Sequence, residues 1–331
     1  MSATTRSVVR RCSIVVTFLS AALAFGHAAL AQPYPSKPVR VIVPYTPGGS
    51  NDVLGRMVAK HLQEALNQPF IVENKPGAAG QIGAEAGAKA APDGYTLLVA
   101  PNDVMTVTPN LHPNGPYDPV NDFEPIGTLG AVPIVLVVNA SSPHKSVADL
   151  VAAAKVKPGA LSYASSGAGG PQHMSAELFA SMTGVKMVHV PYKGNVPAIT
   201  DLLGGQVDLL FSPINSALPH IKSGKLRALA IASDKRVASL PDVPTLTEAG
   251  IAGYKSEIWI GLFAPARTPK DILDKLTAEV TRMQTLPEIR QQLSGQGIEP
   301  MTTAPAQLSS LIKTDLVRWQ KVIKDTGVKA N

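Results

Sequence analysis

From Pro38 onward, short β-branched runs alternate with longer amphipathic stretches, and this alternation constrains the fold more than any other feature of the chain. Val39–Val43 reads as a strand, and residues 53–66 then place Val53, Met57, Val58, Leu62 and Leu66 on one helical face. A strand is expected at 70–73, an Ala-rich helix at 82–89 and a strand at 96–100. The middle repeats the theme, with helices at 147–154, 174–182, 196–203 and 214–222 between strands at 161–164, 187–190, 207–211 and 226–232. Such repetition predicts an α/β fold of βαβ units with mostly parallel sheets flanked by helices. Near-continuous apolar runs at 39–43 and 134–138 suit strands buried on both faces.

A length of 331 residues suits two such domains. The tail departs from the pattern: an extended segment at 254–263 is followed by helices at 269–283, 288–293 and 306–323. The last carries Leu308, Leu311, Ile312, Leu316, Trp319 and Ile323 on one stripe. A helical tail of this kind is expected to pack back on the first domain, so the chain should cross between lobes twice, near 130–133 and near 255–261. Residues 32–131 with 258–331 then form one lobe and residues 132–257 the other. Two crossings make a hinge on which lobes can close. The Pro-rich stretch 110–125 reads as a surface loop.

Residues 1–31 read as an export signal: Arg6, Arg10 and Arg11, an apolar run at 14–25, and Ala29-Leu30-Ala31 as a small-x-small cleavage pattern. That run is too short to span a bilayer. The only cysteine, Cys12, lies in this segment, so the mature protein is expected to use neither disulfides nor thiolates. Loss of the three arginines takes the formal charge from +6 to +3. With no dense Lys/Arg cluster and 5% aromatic residues, nucleic acid is not an expected partner.

Two Gly-rich strand-to-helix junctions carry the chemistry. The first runs Pro44-Tyr45-Thr46-Pro47-Gly48-Gly49-Ser50-Asn51-Asp52, and the second Tyr163-Ala164-Ser165-Ser166-Gly167-Ala168-Gly169-Gly170-Pro171-Gln172-His173. Glycines let backbone N–H groups converge, and each helix N-terminus adds partial positive charge, so each junction is a half-site for an anionic group. Either junction is equally readable as a capped βα loop without a ligand. Asp52 suits capping its own helix. His173, at a helix start where the dipole disfavours protonation, either braces its loop or contacts a ligand. Asn102 and Asp103, Tyr192 in Val190-Pro191-Tyr192-Lys193-Gly194, and Asp208 follow or end strands, where open α/β sheets bind ligands. An inward-facing Asp103 would favour an amine-bearing ligand such as an acidic amino acid.

Several chemistries fit poorly. The first junction lacks the Gly-Lys-Ser/Thr ending of a phosphate loop, and Gln172 stands where a third dinucleotide glycine should fall. Ala164 replaces the first glycine of a hydrolase elbow around Ser166. The histidines show no spacing suited to a metal.

Further segments join these junctions in a recognisable order: Asn74-Lys75-Pro76-Gly77-Ala78-x-Gly80, Pro92-Asp93-Gly94-Tyr95-Thr96-Leu97, Gly204-Gly205-Gln206-Val207-Asp208, Leu240-Pro241-Asp242-Val243-Pro244-Thr245 and Glu248-Ala249-Gly250. Together they resemble the Bug family, the periplasmic solute-binding receptors of tripartite tricarboxylate transporters, over essentially the whole mature length. The resemblance implies a two-lobed, hinged, monomeric periplasmic protein of the Venus-flytrap type, without cofactor, metal or catalytic residues. It implies a small mono- or dicarboxylate or acidic amino acid held by the two Gly-rich loops and by ordered waters, then passed to the transporter's membrane subunits. The ligand-binding set it suggests is Tyr45, Thr46, Pro47, Gly48, Gly49, Ser50, Asn51 and Asp52, then Asn102 and Asp103, then Ser165, Ser166, Gly167, Ala168, Gly169 and His173, with Tyr192 and Asp208. Residues 102–106 and 212–215 should face the variable end of the ligand. A sensor handing its bound state to a membrane kinase is the alternative, and a secreted hydrolase a further one.

Overall fold

The computed structural model describes residues 34–192 and 194–329. The expected export signal lies outside them.

From Lys37 onward the chain forms two sheets that share one strand. The first sheet has the order β2 (Phe70–Asn74), β1 (Val39–Val43), β3 (Thr96–Pro101), β9 (Glu257–Pro265), β4 (Phe123–Asn139). β1 pairs in parallel with β2 and β3, while β9 runs antiparallel to β3 and β4. The second sheet has the order β8 (Leu226–Ile231), β4, β7 (Leu209–Pro213), β5 (Ser162–Ser165), β6 (Val188–Pro191). Here β5 is parallel to β6 and β7, and β4 is antiparallel to β7 and β8.

The apolar run expected at 134–138 is the second half of a 17-residue strand. Up to Pro133 β4 pairs with β9, and from Ile134 it pairs with β7, so the chain changes sheets inside one strand. The return follows β8, where Ser256 donates to Ala232 O and Ala232 to Ile134 O, just ahead of β9. Pro125, Gly127, Thr128 and Gly130 flank register shifts against β9, which bend this half of β4.

Helices cover both faces. α1 (Ser50–Leu66), α2 (Gln81–Ala88) and α3 (Thr108–Leu111) belong to the first sheet. α4 (Val147–Val156), α5 (Pro171–Thr183), α6 (Asn195–Leu203) and α7 (Ile214–Lys222) belong to the second. α8 (Lys270–Met283), α9 (Pro287–Gly295) and α10 (Pro305–Thr326) complete the chain. Local signals set their ends: Ser146 and Asp149 form a capping box on α4, Pro171 opens α5, and Gly184 closes it in the left-handed conformation.

The tail does more than pack back on the first sheet. Leu308 and Ile312 of α10 join the core of Leu98, Trp259 and Phe263, whereas Trp319 and Val322 join that of Leu136, Phe211 and Tyr254. One helix therefore seals both sheets. Asp315 accepts from Trp259 Nε1 at 2.9 Å and pairs with Arg318 at 3.1 Å, fixing the helix on β9 midway. The stretch expected as a loop at 110–125 is also more structured: β4 begins at Phe123, and Tyr117 is buried with its hydroxyl donating to Val104 O. Among the described residues no helix is long and apolar enough to cross a membrane.

Candidate functional site

Four strand ends meet at one cavity. β1 delivers the first junction, β3 delivers Pro101 and Asp103, β5 delivers Ser166, and β7 delivers Pro213 with Asn215 and Ser216. This is the carboxyl edge of both sheets, the usual ligand edge of α/β proteins. The cavity has a volume of ≈ 290 Å³, at the small end of ligand pockets.

At the first junction, Tyr45, Thr46, Gly48, Gly49, Ser50 and Asn51 line the cavity. α1 starts with Gly49 as a cap that offers no side chain, so the N–H groups of its first turn have no intrahelical acceptor. Gly48 adopts φ +92°, and its N–H turns away to Asp52 Oδ2 at 3.0 Å. Asp52 does not line the cavity. It also accepts from Arg56 Nε and Nη2, both at 3.0 Å, and from Asn74 Nδ2 at 2.9 Å. Burial opposes its ionisation, but the Arg56, Gly48 and Asn74 donors outweigh burial and hold its carboxyl below the usual range. Pro47 is exposed and also outside the lining.

Asn102 and Asp103 part company. Asn102 turns to Glu257 O at 2.9 Å, bracing the start of β9. Asp103 opens a π-helical turn, Asp103–Val107, and lines the cavity at 3% exposure. Its Oδ2 accepts from the Tyr45 hydroxyl at 2.5 Å, while Oδ1 is buried without a hydrogen-bond partner. Burial pushes Asp103 up to about 6, against the Tyr45 hydrogen bond and the nearby amides of Asp103 and Val104.

The second junction spends most of its donors on itself. Ser166 N donates to Gln172 Oε1 at 2.7 Å, Gly167 N to Ser165 Oγ at 3.2 Å, and Gly169 N to His173 Nδ1 at 2.9 Å. What it offers the cavity is Ser166 and the pair Gln172–Asn195, joined at 2.5 Å. Ser165, Gly167, Ala168 and Gly169 shape the turn without lining the cavity. Ser165 is fully buried, with Oγ 2.6 Å from His189 Nε2. His173 braces its own loop and stacks on His189, ring centroids 3.8 Å apart. It is held neutral, pushed down to about 3 by burial and by His189. The helix dipole is thus not needed to account for its neutrality.

Two further candidates sit at the right strand ends but face elsewhere. The Tyr192 hydroxyl donates to Asp201 Oδ2 at 2.7 Å, and Asp208 Oδ2 accepts from Ser162 N at 2.7 Å and Ser162 Oγ at 2.9 Å. Tyr192 is satisfied by α6 and Asp208 by β5, away from the cavity. Conversely, Gln172, Asn195, Ser216 and Ile258 line the cavity and were not singled out from the sequence. Asn215 falls in the 212–215 segment expected at the variable end of the ligand; its Nδ2 donates to Ser50 Oγ at 2.9 Å, from the second sheet to the first.

Residues 54–328 match the model of the tripartite tricarboxylate transporter family receptor. The chain belongs to this receptor family. Protein BugT of Bordetella pertussis is 37% identical over 326 residues, covering 98% of this chain and 99% of BugT. Among solved structures, Rpa4515 of R. palustris with adipate is 35% identical at TM-score 0.82, covering 89% of this chain and 99% of that one. MatC (Rpa3494) from Rhodopseudomonas palustris with bound malate is 33% identical at TM-score 0.78, covering 88% and 100%. As a receptor of this family, the chain has the two-lobed α/β fold of periplasmic binding proteins.

Proposed function

We propose that this protein captures a small carboxylic acid between its two lobes in the periplasm and delivers it to the membrane subunits of a tripartite tricarboxylate-type transporter. Among the described residues the lobes are 34–131 with 258–329 and 132–192 with 194–257, with α10 lying across both. One observation carries the reading: the junctions that end β1 and β5 line the same small cavity from opposite sheets, with the first-turn amides of α1 uncommitted. A carboxylate there receives backbone hydrogen bonds and the helix's partial charge without needing a cationic side chain, and waters can complete its shell at little loss. The acids bound by Rpa4515 and MatC support the same ligand class.

Binding suits this cavity better than catalysis. The serine that meets a histidine is Ser165, buried outside the lining, whereas Ser166 inside it serves as a polar wall. Closure on a ligand requires higher affinity for the closed form, which contacts from both sheets supply. Native mass spectrometry of the mature protein, followed by denaturation, tests the reading. A small carboxylic acid released unchanged at one per chain is expected; chemical conversion of the acid by the protein overturns it.

A further inference from the structure

The proposed carboxylate site also contains a carboxylate of its own. Asp103 lines the cavity at 3% exposure, and none of the described residues lining it is a lysine, arginine or histidine. One oxygen is satisfied: Oδ2 accepts from Tyr45, whose hydroxyl is held protonated by burial and by Asp103 itself. The other is not. Oδ1 is buried and lacks a hydrogen-bond partner, although the backbone amides of its own turn lie close enough to favour the charged form. Buried acceptors are nearly always paired, because an unpaired one forfeits its hydration without return. A donor supplied by the ligand completes this one.

The charges in the cavity specify which donor. A helix N-terminus with open amides favours an anion, and a buried acid lining the same cavity favours a cation beside it. With a value of about 6, Asp103 is mostly ionised at neutral pH. A dicarboxylate would bring a second anion toward it, and like charges in a poorly solvated site repel strongly. An ammonium group instead forms a charge-assisted hydrogen bond with Oδ1. We propose that Asp103 selects an ammonium-bearing carboxylic acid, an amino acid, over its amine-free counterpart. This inference rests on the carboxylate reading above and narrows it.

Isothermal titration calorimetry at pH 7.5 with matched acids tests it: glycine against acetate, alanine against propionate, aspartate against succinate, and glutamate against glutarate. In every pair that binds, the amine-bearing member is expected to bind at least ten-fold tighter to the wild type. Asp103→Asn removes the charge but keeps the shape, and should narrow that ratio ten-fold or more. Tyr45→Phe keeps the carboxylate and frees Oδ2, so it should retain the preference. Equal or tighter binding of the amine-free member by the wild type overturns the inference, whether or not the variants fold. An unchanged ratio in Asp103→Asn does the same. Binding of neither member of any pair would instead overturn the carboxylate reading itself, and the inference with it.

Discussion

Asn215 Nδ2 donates to Ser50 Oγ over 2.9 Å, joining the first turn of α7 to the first turn of α1 across the cavity. The two residues are 165 positions apart and belong to different sheets, so the bond forms only when the carboxyl edges of both sheets approach. It ties the two sheets together at the cavity. A hydrogen bond of this kind contributes about 1 kcal/mol. Asn215→Ala should therefore weaken affinity for the released acid about five-fold, by titration calorimetry, with little change in the thermal unfolding of the ligand-free protein.

Gly48 and Gly49 are adjacent but should respond differently to substitution. Gly48 sits at φ +92°, a conformation that L side chains rarely adopt, so Gly48→Ala should cost about 1 kcal/mol of stability. Gly49 has ordinary extended geometry, and a Cβ there meets nothing within 4 Å. Gly49→Leu should fold normally and fill the cavity. Thermal melts with titrations of each variant check this: a lower melting temperature for the first, and loss of binding at a near-native melting temperature for the second.

Asp52 holds the first junction in shape without lining the cavity. Its carboxylate collects Gly48, Arg56 and Asn74, which come from the loop, the helix and β2. Hydrogen bonds to a charged group are worth about 2 kcal/mol, so Asp52→Ala should lower stability by about that amount in urea unfolding. Affinity should fall too, because Gly48 loses the acceptor that sets its turn. An unchanged affinity in a folded Asp52→Ala protein would mean that the loop keeps its shape without this anchor.

The stacked pair His173–His189 makes stability depend on pH. A histidine whose folded-state value is depressed is protonated first in the unfolded chain. Its contribution is complete above about pH 6.5 and is lost as pH falls towards the folded value of about 3. Between pH 7 and pH 5 this amounts to about 2 kcal/mol. Asp103 works in the opposite direction: raised to about 6, it binds its proton first in the folded state and adds stability as pH falls below that. Comparison of wild type with His173→Gln separates the two effects. The wild type should lose about 2 kcal/mol more than the variant over this range, in urea titrations at both pH values.

Much of the architecture was legible because burial leaves a periodic trace. The second half of β4 is an uninterrupted apolar run, β1 and β7 are apolar apart from Arg40 and Ser212, and α1 and α10 carry clean stripes. The first half of β4 was hidden because Pro125, Gly127, Gly130 and Pro133 punctuate it like a turn, although they bend a continuous strand. The reach of α10 is a matter of length. At about 1.5 Å per residue, its 22 residues extend beyond one sheet, and its single stripe serves both cores.

The site was legible at the level of backbone junctions and less so at the level of side chains. Glycines and small hydroxyls after a strand announce a βα loop, and Tyr45, Thr46, Gly48–Asn51 and Ser166 line the cavity from two of them. Whether a polar side chain faces the cavity or its own scaffold depends on partners distant in sequence. Asp208 turns to Ser162, 46 residues away, and Asn102 to Glu257, 155 residues away. Gln172 and Asn195 look like ordinary polar residues in the first turns of two helices, and only their pairing at 2.5 Å makes them one wall of the cavity.

A crystal structure of the mature protein with the acid it releases on denaturation tests the central claim most directly. The account predicts a carboxylate in the cavity with its oxygens about 2.7–3.2 Å from first-turn amides of α1, directly or through one water, and with Ser166 or Gln172 on the facing side. An acid bound away from both junctions, or one whose carboxylate is held by a cationic side chain instead of by the α1 amides, would contradict it.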